Sequence, residues 1–168
     1  GGSGLDFISL AVMAEEFGAA CSSVQTFISV QLSLVASTIL QWGNEEQKKK
    51  YLPKLTSGEM IGCYCLSEPN SGSDAASMDT CAEKKNGRWI LNGTKMWISN
   101  GAYSDIAIVF AQTEKNAEKK HRGIAVHAVF ASQHQHGQRQ GNGAEPADQP
   151  KGAGRFLGRG GHGFPNLQ

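Results

Sequence analysis

The chain has 168 residues, 39% of them hydrophobic, and a formal net charge of +1. That length holds one domain or two small ones with a real core, and the near-neutral balance excludes a general nucleic-acid binder, because no basic face dominates. Neither a signal peptide nor a membrane span is expected, since the longest nearly uncharged stretch, Val24 to Trp42, is interrupted by Gln25, Ser29, Gln31, Ser33 and Ser37 and suits a buried helix.

Residues Leu5 to Leu40 read as helical. Leu5, Ile8, Val12, Met13 and Phe17 fall roughly on one stripe, with Glu15 and Glu16 off it. A break over Gly18 to Ser23 precedes a second helix, Val24 to Trp42, which is apolar on most sides and so belongs at the centre of a bundle. Gly43 is expected to close it as a left-handed cap. Asn44, with Gln47 three residues on, opens the next helix as a capping box, and Leu52-Pro53 is expected to end it. From Ile61 the period changes to two, which marks an antiparallel sheet. Asn86-Gly87, between Met78–Lys85 and Arg88–Leu91, is a two-residue hairpin signal. Asn92-Gly93 and Asn100-Gly101 follow. The stretch Ser104 to Thr113 is apolar on both faces, as in a sheet covered on both sides.

The cysteines at 21, 63, 65 and 81 have neither metal nor redox spacing. Cys63 and Cys65 share one face of a strand, about 6.6 Å apart along it, and would need distortion to bridge. All four read as reduced small hydrophobes of an intracellular protein. Between His127 and Gln168 there are nine Gly, six Gln, four His and three Pro, and Val129, Leu157 and Leu167 are the only Val, Leu or Ile. Such a tail cannot offset its ordering entropy and is expected to be disordered, and its histidines, His134 and His136 among them, lack acidic or cysteine partners for a metal.

The most informative stretch is Tyr64-Cys65-Leu66-Ser67-Glu68-Pro69-Asn70-Ser71-Gly72-Ser73, followed by Asp74. An apolar strand, Ile61 to Leu66, runs into a Pro69 stop. Behind it come small residues whose backbone N–H groups can converge on an anion, with the Ser71 and Ser73 hydroxyls as further donors. The bland alternative is a strand, a proline turn and an Asp/Ser cap with no ligand. A second segment, Leu91-Asn92-Gly93-Thr94-Lys95-Met96-Trp97-Ile98-Ser99-Asn100-Gly101, follows at a fixed distance.

In order and spacing the two segments together resemble the acyl-CoA dehydrogenase family: the first its aliphatic-Ser-Glu and Gly-Ser-Asp turn, the second its Trp-Ile-Ser/Thr flavin-contacting strand. The resemblance runs from about Gly1 to about Ala125, through Gly43 to Lys48, Pro53 to Glu59, and Lys119 to Ile124. It implies an α+β fold, with N-terminal helices (1–59) and an antiparallel β-barrel-like middle domain (60–125), to which the composition adds an irregular tail (126–168). It also implies FAD, an acyl-CoA substrate, an electron-transferring flavoprotein as partner, homo-oligomers, and a mitochondrial-matrix or bacterial-cytoplasmic location.

By the same resemblance Tyr64, Cys65, Leu66, Ser67, Gly72 and Ser73 line the FAD. Ser67 would bond the pyrimidine edge, Gly72 and Ser73 would meet the pyrophosphate, and Ser73 would also touch the nucleotide of the CoA substrate. Trp97 would pack on the isoalloxazine with Ile98 beside it, and the Ser99 hydroxyl would sit at N5; without the family, Trp97 reads as sheet core and Ser99 as a strand end. Glu68 is rejected as a base, because in a Glu-Pro turn it is expected to pair with a cation or a backbone N–H. The family's catalytic carboxylate belongs to a C-terminal helical domain that this chain lacks. The loss of resemblance in mid-strand reads as a frame change or splice, and the chain as a truncated form without its base. The alternatives are a non-catalytic flavin- or CoA-binding or interaction module, and an acyl-CoA oxidase-like flavoenzyme.

Overall fold

The computed structural model describes residues 3–86, 88–113 and 124–130 and short stretches at 154–155, 158–159 and 161–163, with backbone alone at 88 and from 124 onward. Helix α1 (Phe7–Ala20) starts at Asp6, whose carboxylate accepts the Ser9 N–H at 2.9 Å. The break that follows is one extended residue, Cys21. The helix then runs from Ser22 to Trp42 as α2 (Ser22–Ser29), a π-helical stretch (Val30–Ala36) and α3 (Ser37–Trp42). On length and composition this helix could cross a membrane. Here Val30, Gln31, Val35, Ala36 and Ile39 are buried, and the Gln31 amide donates to the Leu55 and Met60 carbonyls while its oxygen accepts the Gly62 N–H.

Three expectations about the helices need correction. Gly43 is extended (φ −72°, ψ 148°) rather than left-handed, and what requires glycine there is space: a Cβ would lie 2.5 Å from the Ile39 carbonyl oxygen. Pro53 does not end α4 (Glu45–Ser57). The buried Tyr51 and Leu55, one turn apart on either side of it, hold the helix to the core through the hydrogen bond a proline must omit, and Gly58 at φ 78° is the left-handed cap. The Asn44–Gln47 capping box forms as expected, with bonds of 2.8 and 2.9 Å. Finally, the apolar helices are not buried all round. Leu5, Phe7, Ile8 and Val12 are exposed at or just before α1, which buries no residue, and Val24, Leu40 and Trp42 are exposed because only one stripe of the 22–42 helix is buried.

The β part is a curled mixed sheet rather than a purely antiparallel one. Strand β1 (Gly62–Cys65) pairs in parallel with β5 (Ile106–Gln112), since the long crossover between them brings the chain back in the same direction. The β2 (Cys81–Lys85) and β3 (Arg88–Asn92) strands form the expected hairpin, with Lys85 opposite Arg88 and Asn86 at φ 51°. After the two-residue β4 (Thr94–Lys95) the chain turns, and β5 pairs antiparallel with β6 (Ile124–Phe130). Strand β6 thus passes through Ala125. Three short segments, β7 (Gly154–Arg155), β8 (Gly158–Arg159) and β9 (Gly161–Gly163), pair with β4, β3 and β6. The rest of the tail, His134 and His136 included, lies outside the described residues.

Strand β5 is covered on both faces, as its composition predicts. Ile106 and Ile108 pack with Val35, Ile39, Tyr51 and Leu55 of the helices, while Ala107, Val109 and Ala111 pack with Cys63, Cys65, Ala82 and Leu91. The helix layer approaches β1 so closely that a Cβ on Gly62 would lie 2.5 Å from Val35 Cγ1. Gly62→Ala is therefore expected to destabilise the fold by about 1–3 kcal/mol, the cost of overpacking, and a denaturant midpoint equal to the parent's would refute that close approach. Of the cysteines, Cys63 and Cys65 are buried with sulfurs 3.5 Å apart and unbridged, but Cys21 is exposed and not a core residue.

Candidate cofactor site

The turn after β1 is built by its own backbone. Glu68 and Ser71 exchange N–H···O bonds of 2.8 and 3.2 Å across Pro69-Asn70, so the proline sits where its missing donor costs nothing. The Ser71 hydroxyl donates to the Asp74 carbonyl at 2.8 Å. Ser71 is consequently buried and spends both donors inside the loop, contrary to the expectation that it would offer them to an anion. Asn70, Gly72 and Ser73 are exposed. Gly72 does not have positive φ, and a Cβ there would meet nothing within 4 Å. Its smallness matters only to something approaching from outside.

The second segment is not a strand at Trp97. After β4 the chain bends, and Trp97 takes φ 59°, a left-handed conformation that costs a bulky residue roughly 1–2 kcal/mol and needs surrounding structure to impose it. Its indole is 73% exposed, so it is not sheet core. Ile98 is half-buried against the Cys63–Val109 side of the sheet. The turn beyond it is closed by Gly101 N–H to Ile98 O at 3.1 Å and by Asn100 (φ 65°), whose side-chain amide donates to the Gly62 carbonyl at 3.2 Å.

The two segments, separate in sequence, are joined in space by three bonds. Met96 N–H donates to Ser67 O at 3.0 Å, Lys95 Nζ donates to Leu66 O at 3.0 Å, and Lys95 Nζ meets Glu68 Oε1 at 2.7 Å. Sequence reasoning anticipated that Glu68 would take a cation or a backbone N–H, and it takes both, because the Asp79 and Thr80 amides also donate to its carboxylate at 2.6 and 3.1 Å. The partner it missed is Lys95, whose signal was a lysine placed in an apolar strand. Tyr64 and Cys65 do not converge. Alternation along β1 puts the Tyr64 ring on the helix side, 4.9 Å from Phe110, and Cys65 among the buried residues opposite. Leu66 and Ser67 are half-buried, and Ser73 and Ser99 are exposed.

The electrostatics follow from this burial. Desolvation alone would raise the Glu68 carboxyl, but Lys95 and the Thr80 and Asp79 amides hold it below the ordinary carboxylate value. Burial lowers the Lys95 ammonium, partly offset by Glu68. A carboxyl lowered by folding contributes stability that is present above its unfolded value and lost as pH falls through the folded one; a lysine lowered by folding contributes none on the acid side. Stability should therefore fall on acidification, as pH drops through the ordinary carboxylate range and below it. The neutral double variant Glu68→Gln/Lys95→Met is expected to flatten that limb in a melting series, and an unchanged slope would remove the pair as its cause.

An open cleft of ≈ 320 Å³ adjoins Ser99, lined by Ser22, Ser23, Thr26, Phe27, Ser99 and Asn100. None of these residues ionises. Among the described residues no group of His, Cys, Asp or Glu could hold a metal.

The profile of the acyl-CoA dehydrogenase middle domain matches residues 63–149, and that of the family's N-terminal domain matches residues 1–59. The chain belongs to the acyl-CoA dehydrogenase family. It is 42% identical over 129 residues to human mitochondrial short-chain specific acyl-CoA dehydrogenase, covering 77% of this chain and 31% of that protein. To mitochondrial isovaleryl-CoA dehydrogenase of Pongo abelii it is 45% identical over 129 residues, covering 77% and 30%. A glutaryl-CoA dehydrogenase from Mycobacterium smegmatis in complex with FADH2 superposes with a TM-score of 0.70 at 42% identity, over 76% of this chain and 31% of the other. The chain thus spans about a third of the length of the relatives it matches. A flavin, the group bound in that complex, fits the residues that this chain brings together. An exposed indole held out by a constrained backbone offers a face to a flat ring, and the open side of Gly72 leaves room for close approach to backbone.

Proposed function

We propose that this chain carries the FAD-binding half of an acyl-CoA dehydrogenase, which oxidises an acyl-CoA thioester to its α,β-enoyl form. The observation that carries this reading is the threefold tie between the turn after β1 and the Trp97 segment, because it assembles into one unit the two stretches that the family resemblance assigns to flavin. Bound flavin would supply the acceptor for the substrate's β-hydride. The protein's part is orientation. Trp97 covers ring area and Ser99 offers a hydroxyl that donates or accepts at the ring's reacting edge. Ser67, Gly72 and Ser73 hold the remainder, with Ser73 also toward the CoA nucleotide. The acyl group is placed in the open cleft beside Ser99, where Phe27 offers an apolar surface and no lining side chain titrates.

The electron acceptor is an electron-transferring flavoprotein, the substrate is an acyl-CoA, and the working assembly is a homo-oligomer in a mitochondrial matrix or bacterial cytoplasm. The α-proton is taken by a carboxylate that the described residues do not place at the cleft. Glu68 cannot serve, since its oxygens are committed to Lys95, Asp79 and Thr80. A polypeptide of these residues alone is thus a cofactor-binding form short of its base.

Absorbance of the purified chain titrated with FAD tests this reading, with Gly72→Val as the probe. Because a Cβ at Gly72 enters open space, the variant is expected to melt with the parent while FAD affinity falls roughly tenfold or more, the branched side chain standing where phosphate must reach backbone. Equal FAD affinity in the two proteins would sink the assignment of this turn.

A further inference from the structure

The Glu68–Lys95 ion pair is buried on both sides, with side-chain exposures of 2% and 1%. Replacing such a pair with apolar groups of similar size is commonly neutral for stability, so its presence calls for another reason. Its position supplies one. Glu68 follows Ser67 directly, and Lys95 stands two residues before Trp97. The carboxylate is fixed from behind by the Asp79 and Thr80 amides, and the ammonium is fixed by a second acceptor, Leu66 O. Neither end can swing. Trp97 needs such fixing, because its left-handed backbone must be imposed by its neighbours while its exposed indole has little packing to hold it. On the C-terminal side the anchors are Ile98 in the core and the Asn100 amide on Gly62 O. On the N-terminal side they are the ion pair and the Met96–Ser67 bond.

We propose that Glu68 and Lys95 are positioning residues of the cofactor site: their buried pair clamps the turn after β1 to β4 and so sets the conformation in which Trp97 is presented. The clamp acts on the protein before any ligand arrives. Its consequence for flavin rests on the proposed function; its consequence for Trp97 does not.

The test uses the full chain labelled with 5-fluorotryptophan at Trp42, Trp89 and Trp97, the Trp97 resonance being assigned with Trp97→Phe. In Glu68→Gln/Lys95→Met the fluorine signals of Trp42 and Trp89 are expected to stay in place while that of Trp97 shifts and broadens, with FAD affinity falling roughly tenfold to a hundredfold. A merely structural pair would leave the Trp97 signal where it is or move all three together, and either result overturns the proposal. Should the double variant not fold, Glu68→Asp keeps the charge and shortens the reach, and a folded Glu68→Asp protein with an unmoved Trp97 signal likewise overturns it. If the parent itself takes up no FAD, the proposed function fails, and the fluorine spectra still decide the clamp.

Discussion

A polypeptide of these 168 residues, supplied with saturating FAD, is expected to show no dehydrogenation of butyryl- or octanoyl-CoA above free flavin in a dye-reduction assay. The cleft beside Ser99 is walled by residues that do not ionise, and the one buried carboxylate among the described residues, Glu68, is held in an ion pair and by hydrogen bonds from two backbone amides. Proton abstraction by a positioned base contributes roughly a hundred- to ten-thousand-fold, and its loss alone takes a slow reaction to background. Phe27, the one large apolar residue lining the cleft, is itself exposed, so the cleft offers an acyl chain little apolar wall. Turnover well above free flavin would mean that a group in this chain acts as the base, and the proposal that the chain is the cofactor half would have to be replaced.

Lys95→Met should be the most damaging single substitution in the β part. It removes the cation and leaves the Glu68 carboxylate buried, a change that typically costs about 3–5 kcal/mol, against a whole-domain stability of roughly 5–15 kcal/mol. The Asp79 and Thr80 amides still donate to that carboxylate and place the loss toward the lower end. Adding Glu68→Gln should restore most of it, since no charge then remains without a partner. The single loss should also shrink at low pH, where the carboxyl, no longer held down by lysine, takes up a proton. Urea denaturation of the parent, single and double variants measures all of this. A single variant as stable as the parent would show that the pair is worth nothing, and a double variant no better than the single would show that packing, not charge, is responsible.

Much of this was legible in the linear chain because the causes are local. The Asn44–Gln47 cap, the Asn86-Gly87 hairpin and the two-faced β5 each depend on residues within a few positions of one another, so composition and spacing suffice. The two segments proposed for flavin stood out only through the family resemblance, since by residue type alone the first also reads as a plain proline turn and Trp97 as sheet core. Where local rules met packing, packing won. Pro53 lies inside a helix because Tyr51 and Leu55 are buried around it, and Gly43 is glycine because of a carbonyl four residues back, not because of its φ.

Only the tertiary structure could decide the rest. The parallel β1–β5 pairing joins residues more than forty apart. Ser71 loses its role as a free donor once the Glu68 bridge closes. Trp97 stands out of the sheet because Lys95 before it and Ile98 after it are drawn inward, and the lysine's partner lies 27 residues away on another turn. A sequence states what each side chain can do. Which charge it meets, and which face it is left to show, are set when distant segments close on one another and water is excluded between them.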